Sequence, residues 1–532
     1  MSEAQEAPAF PARRLAWSTA VFSAATGLSR VLGLVREIVV RSFFGVEGAG
    51  INAFTVAFQV PNLVRALVAD AALSSAFVPV FSELLEKGER ARAWRVASSL
   101  IWIMLLGLSA ITAVFMLAAP WLMSLFGYGS GEAGDLAVTL SRILFPTVIL
   151  LGVFGIVVGI LNSYEHFTVP ALTPVFWNVA IIVGLLIGVP RAASEETELY
   201  VYAGSIVVGT VIQLLLPLPW LSGLDGRLRL AIDWRDPAVK RVFVLMLPVA
   251  LGLGLINVNA LIGTLFAARY IDPRLSPSSI DAAFRLYMLP QGVFSVALAT
   301  VLFPSLARLA TRADFDGFRR TVGLGLRQIA FLLIPASVVS AVLAEPIVRL
   351  LYQRGEFGPR ATDVVAAALA AFSLGLVFNG AMLMLNRAFF SLQSPWVPTW
   401  VALGNLVLNT ALFAIFYRVG TWGIPLAISL ANVAGSAALL YLLRRRLGRI
   451  EGGETARSTL LITVASAVLG LVAFAVWWGL DEVLGRSFGG QLVSLSAALL
   501  AGGAAYLFSC RLLGVRELNA LLSLRARSRP AS

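Results

Sequence analysis

Cysteine and histidine are almost absent from this sequence, and charged residues are scarce. The 532 residues include one cysteine, Cys510, and one histidine, His166, so a disulfide framework, a cysteine-built metal site and a histidine-rich metal cluster are excluded. Only 13% of the residues are charged, whereas a soluble globular chain carries about 25%. No sizeable soluble domain fits this composition, and a large class of enzymes is disfavoured.

Long apolar runs make up most of the chain instead. Hydrophobic residues account for 58% of the sequence, and a transmembrane helix needs about 20 mostly apolar residues. The runs lack the apolar/polar alternation of membrane-spanning strands. We therefore predict an all-α polytopic membrane protein with 14 transmembrane helices. The predicted helices are at roughly 15–43, 50–83, 92–121, 136–162, 170–190, 199–222, 240–269, 278–308, 318–344, 361–390, 396–418, 422–445, 457–480 and 488–513.

Basic residues are distributed unevenly between the predicted loops. The formal net charge is +12, which in a soluble protein would suggest a nucleic-acid partner. In a membrane protein, Lys and Arg mark the cytoplasmic loops, and here 27 fall on the side of the termini and 9 on the opposite side. We therefore expect both termini in the cytoplasm and no nucleic-acid partner. The basic tail from Arg511 to Arg529 is expected to contact the headgroups of membrane lipids.

Proline and asparagine landmarks of the first half recur in the second half at a nearly constant offset along the chain. The pairs are Asn162 and Asn386, Pro170 and Pro395, Pro174 and Pro398, and Pro79 and Pro304. They predict two six-helix parallel repeats around a central cavity that holds the substrate, followed by two C-terminal helices. The predicted domains are 1–230 (helices 1–6), 231–450 (helices 7–12) and 451–532 (helices 13 and 14 with a basic cytoplasmic tail). The alternative is that membrane loops simply recur with similar Pro and Asn punctuation.

Four arginines lie within the apolar runs, namely Arg30, Arg36, Arg65 and Arg285. A charge at the bilayer centre costs about 2.5 to 3.5 kcal/mol on insertion scales, so such residues usually face a wet cavity or a partner. Arginine in particular suits the bidentate binding of phosphate. We expect a polar cavity lined by helices 1, 2 and 8. The alternatives are that Arg30 and Arg36 reach the membrane surface from the end of helix 1, or that Arg36 forms a private salt bridge with Glu37.

Other polar residues accompany these arginines on the same helices. Glu37 and Arg30 are seven residues apart and share a face of helix 1. On helix 2, spacings of 7 and 11 residues bring side chains to within about 20° of one another, which places Asn52, Gln59 and Asp70 on one stripe. Four arginines against Glu37 and Asp70 leave a net charge of about +2. The cavity is therefore predicted to bind an anion.

Five segments spread over both halves carry motifs that are specific to one family. They are SRVLGLVREIVV (29–40), NAFTVAFQVPNLVRALVADAALSSAFVPVFSE (52–83), ILNSYEHFTVPALTPVFWN (160–178), FRLYMLPQGVFSVALATVLFPSLARLA (284–310) and LYQRGEFGPRATD (351–363). With these segments the sequence resembles the MurJ (MviN) family of lipid II flippases, in the multidrug/oligosaccharidyl-lipid/polysaccharide exporter superfamily.

The resemblance implies a substrate, a membrane and a direction of transport. The substrate would be lipid II, the undecaprenyl-pyrophosphate-linked disaccharide pentapeptide. It would move from the inner to the outer leaflet of the bacterial cytoplasmic (inner) membrane for peptidoglycan synthesis. The resemblance also implies that helices 13 and 14 form a groove for the lipid tail.

The resemblance also implies which residues bind the substrate. The essential cavity arginines of the family fall on Arg30, Arg36, Arg65 and Arg285, and the acidic neighbour of the second arginine falls on Glu37. The positions of two charged residues found in other members fall on Asn52 and Gln59. We expect these seven residues to bind the substrate.

Two departures from the family pattern concern acidic residues. An Asp/Arg pair of the eighth helix is represented here by Phe284 and Arg285. A sodium site in helices 7 and 11 needs acidic ligands, but residues 242–268 and 396–417 contain none. This absence argues against sodium coupling.

The expected activity is transport without covalent chemistry. We predict a non-enzymatic flippase that works by alternating access, with a cationic central cavity for the pyrophosphate and with no metal or cofactor. An exporter of another polyprenyl-linked saccharide or of drugs is the alternative. A membrane glycosyltransferase or phosphatase would need clustered carboxylates or a nucleophile with an acid/base pair, and no such cluster is present in the sequence. Partners from the division or elongation machinery stay an open alternative.

Overall fold

A computed structural model describes residues 12–68, 71–448 and 452–518. Throughout these ranges the regular secondary structure is helical, without a strand. Among the described residues, eleven helices are long and apolar enough to cross a membrane, or up to 12 if a bent pair counts as one span. The predicted all-α polytopic class is confirmed, and the count of 14 spans stays a prediction.

The chain divides into two compact units, which are described separately. Unit 1 comprises the residues up to Phe44 together with Gly48–Leu265. Its helices are α1 (Ala12–Phe44), α2 (Ala49–Val68), α3 (Ala71–Glu86), α4 (Arg90–Leu125), α5 (Glu132–Leu144), α6 (Pro146–Ser163), α7 (Thr168–Gly188), α8 (Glu195–Leu215) and α9 (Pro237–Phe266). The predicted second span, 50–83, therefore corresponds to α2 and α3.

Unit 2 comprises Gly45–Glu47 and the residues from Phe266 onward. Its helices are α10 (Ser276–Pro290), α11 (Val296–Thr311), α12 (Phe315–Val342), α13 (Ala344–Tyr352), α14 (Pro359–Ser373), α15 (Leu376–Ser391), α16 (Trp396–Phe416), α17 (Gly423–Leu447), α18 (Gly452–Leu484) and α19 (Phe488–Leu512). Short π-helical turns follow α9 at Ala267–Ile271 and α10 at Gln291–Ser295.

Two of the predicted spans each consist of two consecutive helices. The predicted span 136–162 is α5 followed by α6, with Pro146 as the first residue of α6, where a missing N–H is tolerated. The predicted span 361–390 is α14 followed by α15, which bend by 43°. At this bend a Cβ on Gly375 would lie 2.7 Å from the backbone of Ser429, so the close approach of α17 requires glycine there.

The last two helices are fastened to the rest of unit 2 near both ends. On one side, Arg327 Nε of α12 lies 3.2 Å from Glu517 Oε1, a buried carboxylate that also accepts hydrogen bonds from the Ser458 hydroxyl. On the other side, the buried guanidinium of Arg349 in α13 donates to Asp481 near the end of α18. Buried pairs of this kind are costly to break because the remaining charge is left uncompensated.

Helix bounds and turn geometry recur between the two halves of the chain. The turn before α4 and the turn before α12 have the same kind of backbone hydrogen bond, from Gly88 N to Leu85 O and from Ala313 N to Ala310 O. The two donors are separated by the same number of residues as the two acceptors. Pro79 and Pro304 have this separation too. Both Gly88 and Ala313 have positive φ.

A second turn recurs at a slightly larger offset. Glu165 N donates to Asn162 O after α6, and Gln393 N donates to Phe390 O after α15. Both donors again have positive φ. The first residues of α7 and α16, Thr168 and Trp396, are separated by this same larger offset. At this offset Asn162 corresponds to Phe390 and not to the predicted Asn386, so the six-helix repeat stays a prediction.

Candidate functional site

A cluster of charged side chains is buried on α1 in unit 1. The carboxylate of Glu37 accepts hydrogen bonds from Arg41 Nε at 3.0 Å and from Arg41 Nη2 at 2.7 Å. Arg36 Nη2 lies 3.5 Å from the second oxygen of Glu37. The exposed fractions of these side chains are 12% for Arg36, 5% for Glu37 and 3% for Arg41. The cluster carries two positive charges against one negative charge.

Helix α7 completes the surroundings of Arg36. The guanidinium carbon of Arg36 lies 4.9 Å from the ring centroid of Trp177, a cation–π contact. The next residue, Asn178, donates from Nδ2 to Pro174 O at 2.8 Å and to Ser29 O of α1 at 3.5 Å. These contacts fix the orientation of α7 against the charged turn of α1.

Two buried polar atoms in this region have no hydrogen-bond partner among the described residues. They are Arg36 Nε, a donor, and Asn178 Oδ1, an acceptor. Leaving a buried polar group unsatisfied costs about 1–3 kcal/mol, so such atoms call for an explanation. A polar or anionic ligand that reaches α1 and α7 would satisfy the Arg36 donor.

Helix α2 carries a second polar group in unit 1. Arg65 Nη2 donates to Asn62 Oδ1 at 2.9 Å, and Asn62 Nδ2 approaches Asn257 Oδ1 of α9 at 3.5 Å. Asn52 is fully buried, and its amide donates to Gly48 O at 2.8 Å. Gln59 is half-buried on the same helix.

The third predicted stripe residue, Asp70, lies outside the described residues. The stripe on α2 is therefore represented by Asn52 and Gln59 alone. Helix α2 continues through Pro61 without interruption.

The eighth predicted helix lies in unit 2 and carries Arg285. Arg285 Nη2 is 3.2 Å from Asp281 Oδ1, and the exposed fractions of the two side chains are 43% and 22%. Asp281 thus provides Arg285 with an acidic partner on the same helix. Phe284 packs against the rings of Tyr287 and Phe372.

The structure thus contains the salt bridge between Arg36 and Glu37 that the sequence analysis gave as an alternative, and it adds Arg41. Arg41, in the last turn of α1, is buried and bonded to Glu37. Arg30 is exposed on α1.

Sequence reasoning missed several polar partners, and most of them had a simple signal. Arg41 and Asp281 stand four residues from their ion-pair partners, and Asn62 stands three residues from Arg65. Side chains at these spacings are neighbours on a helix. Trp177 and Asn178 come from another helix and had no such local signal.

Comparisons with known proteins agree with one another. The family model described as "Lipid II flippase MurJ" matches residues 40–497. A probable lipid II flippase MurJ of Vibrio cholerae is 33% identical over 525 residues, covering 95% of this chain and 97% of the relative. The lipid II flippase MurJ of Burkholderia cenocepacia is 31% identical over 429 residues, covering 79% and 82% of the two chains.

Solved structures show the same relationship. A lipid II flippase MurJ in an inward closed conformation matches with a TM-score of 0.74 and 25% identity, covering 92% of this chain and 98% of that one. An inward-facing multidrug resistance MATE transporter of the MOP superfamily matches with a TM-score of 0.67 and 18% identity, covering 81% and 98%. The similarity to the MATE transporter concerns the fold alone.

Proposed function

Because the chain belongs to the lipid II flippase MurJ family, we propose that it moves lipid II from the inner to the outer leaflet of the bacterial cytoplasmic membrane by alternating access. The observation that carries the proposal is Arg36, which is buried and has a donor, Nε, without a hydrogen-bond partner among the described residues. A pyrophosphate is an anion that arginine binds through parallel N–H groups.

The charge arrangement on α1 supports anion binding at Arg36. Glu37 is bound more closely by Arg41, at 2.7 Å, than by Arg36, at 3.5 Å. Arg41 therefore holds the carboxylate more closely than Arg36 does, and we propose Arg36 as the cation that meets the ligand. In this proposal Arg41 is a positioning residue, since it holds Glu37 and does not itself contact the substrate.

The remaining site residues are proposed on weaker grounds. Arg65 carries a second guanidinium in unit 1, oriented by Asn62, and Asn52 and Gln59 supply neutral polar groups on the same helix. Arg30 and Arg285 are exposed enough to meet the substrate in an aqueous cavity. We propose that each contributes to binding the pyrophosphate or the groups attached to it.

The membrane potential is the proposed driving force. A pyrophosphate carries roughly two negative charges, and moving one charge through 100 mV is worth about 2.3 kcal/mol. With both termini in the cytoplasm, as the distribution of Lys and Arg predicts, export of the anion from a negative interior gains about 4.6 kcal/mol.

Complementation tests the proposal directly. The chain is expressed in a bacterium depleted of its own flippase, and lipid II on the outer leaflet is measured with an added enzyme that cannot cross the membrane. Arg36→Ala should reduce the signal about ten- to a hundredfold, while the exposed control Arg191→Ala should keep it. Growth without outer-leaflet lipid II, or export of drugs in its place, would contradict the proposal and favour the exporter alternative.

A further inference from the structure

In unit 1, the connection between α8 and α9, residues 216–236, is fastened along the first turns of α4. Its backbone donates hydrogen bonds to two consecutive serines of that helix. Arg229 N donates to Ser98 Oγ at 3.0 Å, and Asp233 N donates to Ser99 Oγ at 3.1 Å. Because both serines are buried, these bonds fix the backbone of the α8–α9 connection against α4 and leave its side chains available.

The α8–α9 connection exposes a row of large apolar side chains. The exposed fraction is 83% for Leu230 and 63% for Trp234. Single exposed apolar residues are normal, but a concentration of them marks a surface that meets a protein or a membrane. Here four such residues stand at alternate positions of the sequence, namely Leu228, Leu230, Ile232 and Trp234.

Positive charge is in excess along the same row. The Asp225 carboxylate is paired with Arg90 of α4 at 2.7 Å. The Asp236 carboxylate is likewise paired with Arg92 at 3.1 Å. Asp233 is the remaining acid of the connection, and its carboxylate accepts a hydrogen bond from the backbone of the arginine two residues later. Among the described residues, no acidic side chain lies within 4.0 Å of the guanidinium groups of three exposed arginines, which are Arg227, Arg229 and Arg235.

The exposed face of α4 shows at which depth the connection lies. Large apolar side chains of this helix are exposed from Leu106 to Leu125, a length of about 30 Å at 1.5 Å per residue, which matches the hydrocarbon core of a bilayer. Trp102, whose Nε1 donates to Arg229 O at 3.2 Å, lies about 6 Å before this stretch along the helix axis. The headgroup layer is about 5–7 Å thick on each side. The connection is therefore at the level of the lipid headgroups.

We propose that the α8–α9 connection anchors unit 1 to the membrane surface by binding anionic phospholipids. Arg227, Arg229 and Arg235 meet the headgroup phosphates, as basic residues beside a membrane do. Leu230 and Trp234 enter the boundary with the acyl chains, where tryptophan is enriched. A lipid fits this surface better than a soluble protein because the connection begins one helical turn from the lipid-facing stretch of α4.

The test places a reporter on the connection of the full-length protein. Leu230→Cys is labelled with a fluorophore and the protein is reconstituted in phosphatidylcholine nanodiscs. The native Cys510 is buried, and the unsubstituted protein, taken through the same labelling, measures any background. Nitroxide-labelled phosphatidylglycerol or phosphatidylcholine is then included at equal low mole fractions, and the quenching of the fluorophore gives the preference for the anionic lipid. Quenching by acrylamide reports access from water.

We expect phosphatidylglycerol to quench the reporter more strongly than phosphatidylcholine. Arg229→Gln should lower this preference about fivefold, the value of one basic residue near an anionic surface. Its hydrogen bonds to α4 should persist, because they are made by the backbone. Arg191→Gln is the matched control, with the same change of charge at an exposed position beside the opposite end of α8, and it should keep the preference.

Three results would overturn the proposal. One is equal quenching by the two lipids, and another is an equal loss of preference in the Arg229→Gln and Arg191→Gln variants. The third is quenching by acrylamide without quenching by either lipid, which would place the row in water and favour a soluble protein as its partner. The unfolding temperature of each variant, measured on the same samples, ensures that a misfolded protein is not read as a loss of lipid binding.

Discussion

The arginines at the candidate site differ between the two units in how their positive charge is compensated. In unit 1, Glu37 is shared by Arg36 and Arg41 in a buried cluster in which the exposed fractions are 12% or less. In unit 2, Arg285 pairs with Asp281 in an exposed position. A buried charge cannot lose its partner without a large cost, whereas an exposed one is solvated by water. Arg36 and Arg41 therefore contribute to stability through their shared carboxylate, whereas Arg285 can exchange its contacts at little cost.

The largest difference is expected on removing the carboxylates. Glu37→Gln removes the carboxylate that Arg36 and Arg41 share in this cluster, and breaking a buried pair in this way costs about 3–5 kcal/mol. Asp281→Asn should cost only about 0.2–1 kcal/mol, as for exposed pairs. The free energy of unfolding in mixed detergent micelles measures both. Similar costs for the two variants would show that the cluster on α1 is solvated.

A second contrast separates transport from stability within the α1 cluster. Arg36→Ala should reduce outer-leaflet lipid II by about ten- to a hundredfold, roughly the value of a hydrogen bond to a charged group. Its unfolding temperature should change little, because Arg41 still holds Glu37. Arg36→Lys should recover only part of the transport, since lysine keeps the charge but not the planar fork. Full transport by Arg36→Ala would remove this residue from the site.

Substitution of Arg285 should have a smaller effect on transport, and it tests the exposed ion pair of unit 2. Arg285→Ala should lower transport about tenfold if the arginine contacts a phosphate, with a stability change below about 1 kcal/mol. Asp281→Asn removes the competing carboxylate and should leave transport at or above its normal level. A matching loss of transport in both variants would mean that the ion pair itself is needed.

The smallest effect is expected at the contact between α2 and α9. The 3.5 Å distance from Asn62 to Asn257 is at the limit of a hydrogen bond, so Asn257→Ala should change the free energy of unfolding by less than about 0.5 kcal/mol. Asn62→Ala should have a larger effect on transport because it also removes the contact that orients Arg65. The two variants are compared by the unfolding and lipid II measurements already described.

The sequence predicts the fold class but few of the polar contacts, for different reasons. Apolar runs extend over the length of the chain, so the all-α polytopic class can be inferred from composition and run length alone. The bend between α14 and α15 depends on the close approach of Ser429 to Gly375, which is a tertiary contact and has no local pattern.

The contacts of the predicted site likewise divide into those with a local sequence signal and those that depend on tertiary packing. Arg36 and Glu37 are recognisable as charges in an apolar run, and Arg41 and Asp281 would have been recognised from helical spacing. The contact of Trp177 with Arg36 joins two helices that are far apart in sequence. No single-sequence argument supplies such a pairing.

The ion pairs near the two ends of the α18–α19 pair determine to which part of the chain these helices are attached. Arg327 with Glu517 and Arg349 with Asp481 attach the pair to α12 and α13, all within unit 2. A hydrophobic tail lying along α18 and α19 would thus move together with unit 2 through a transport cycle. A label on such a tail would then report the movements of unit 2.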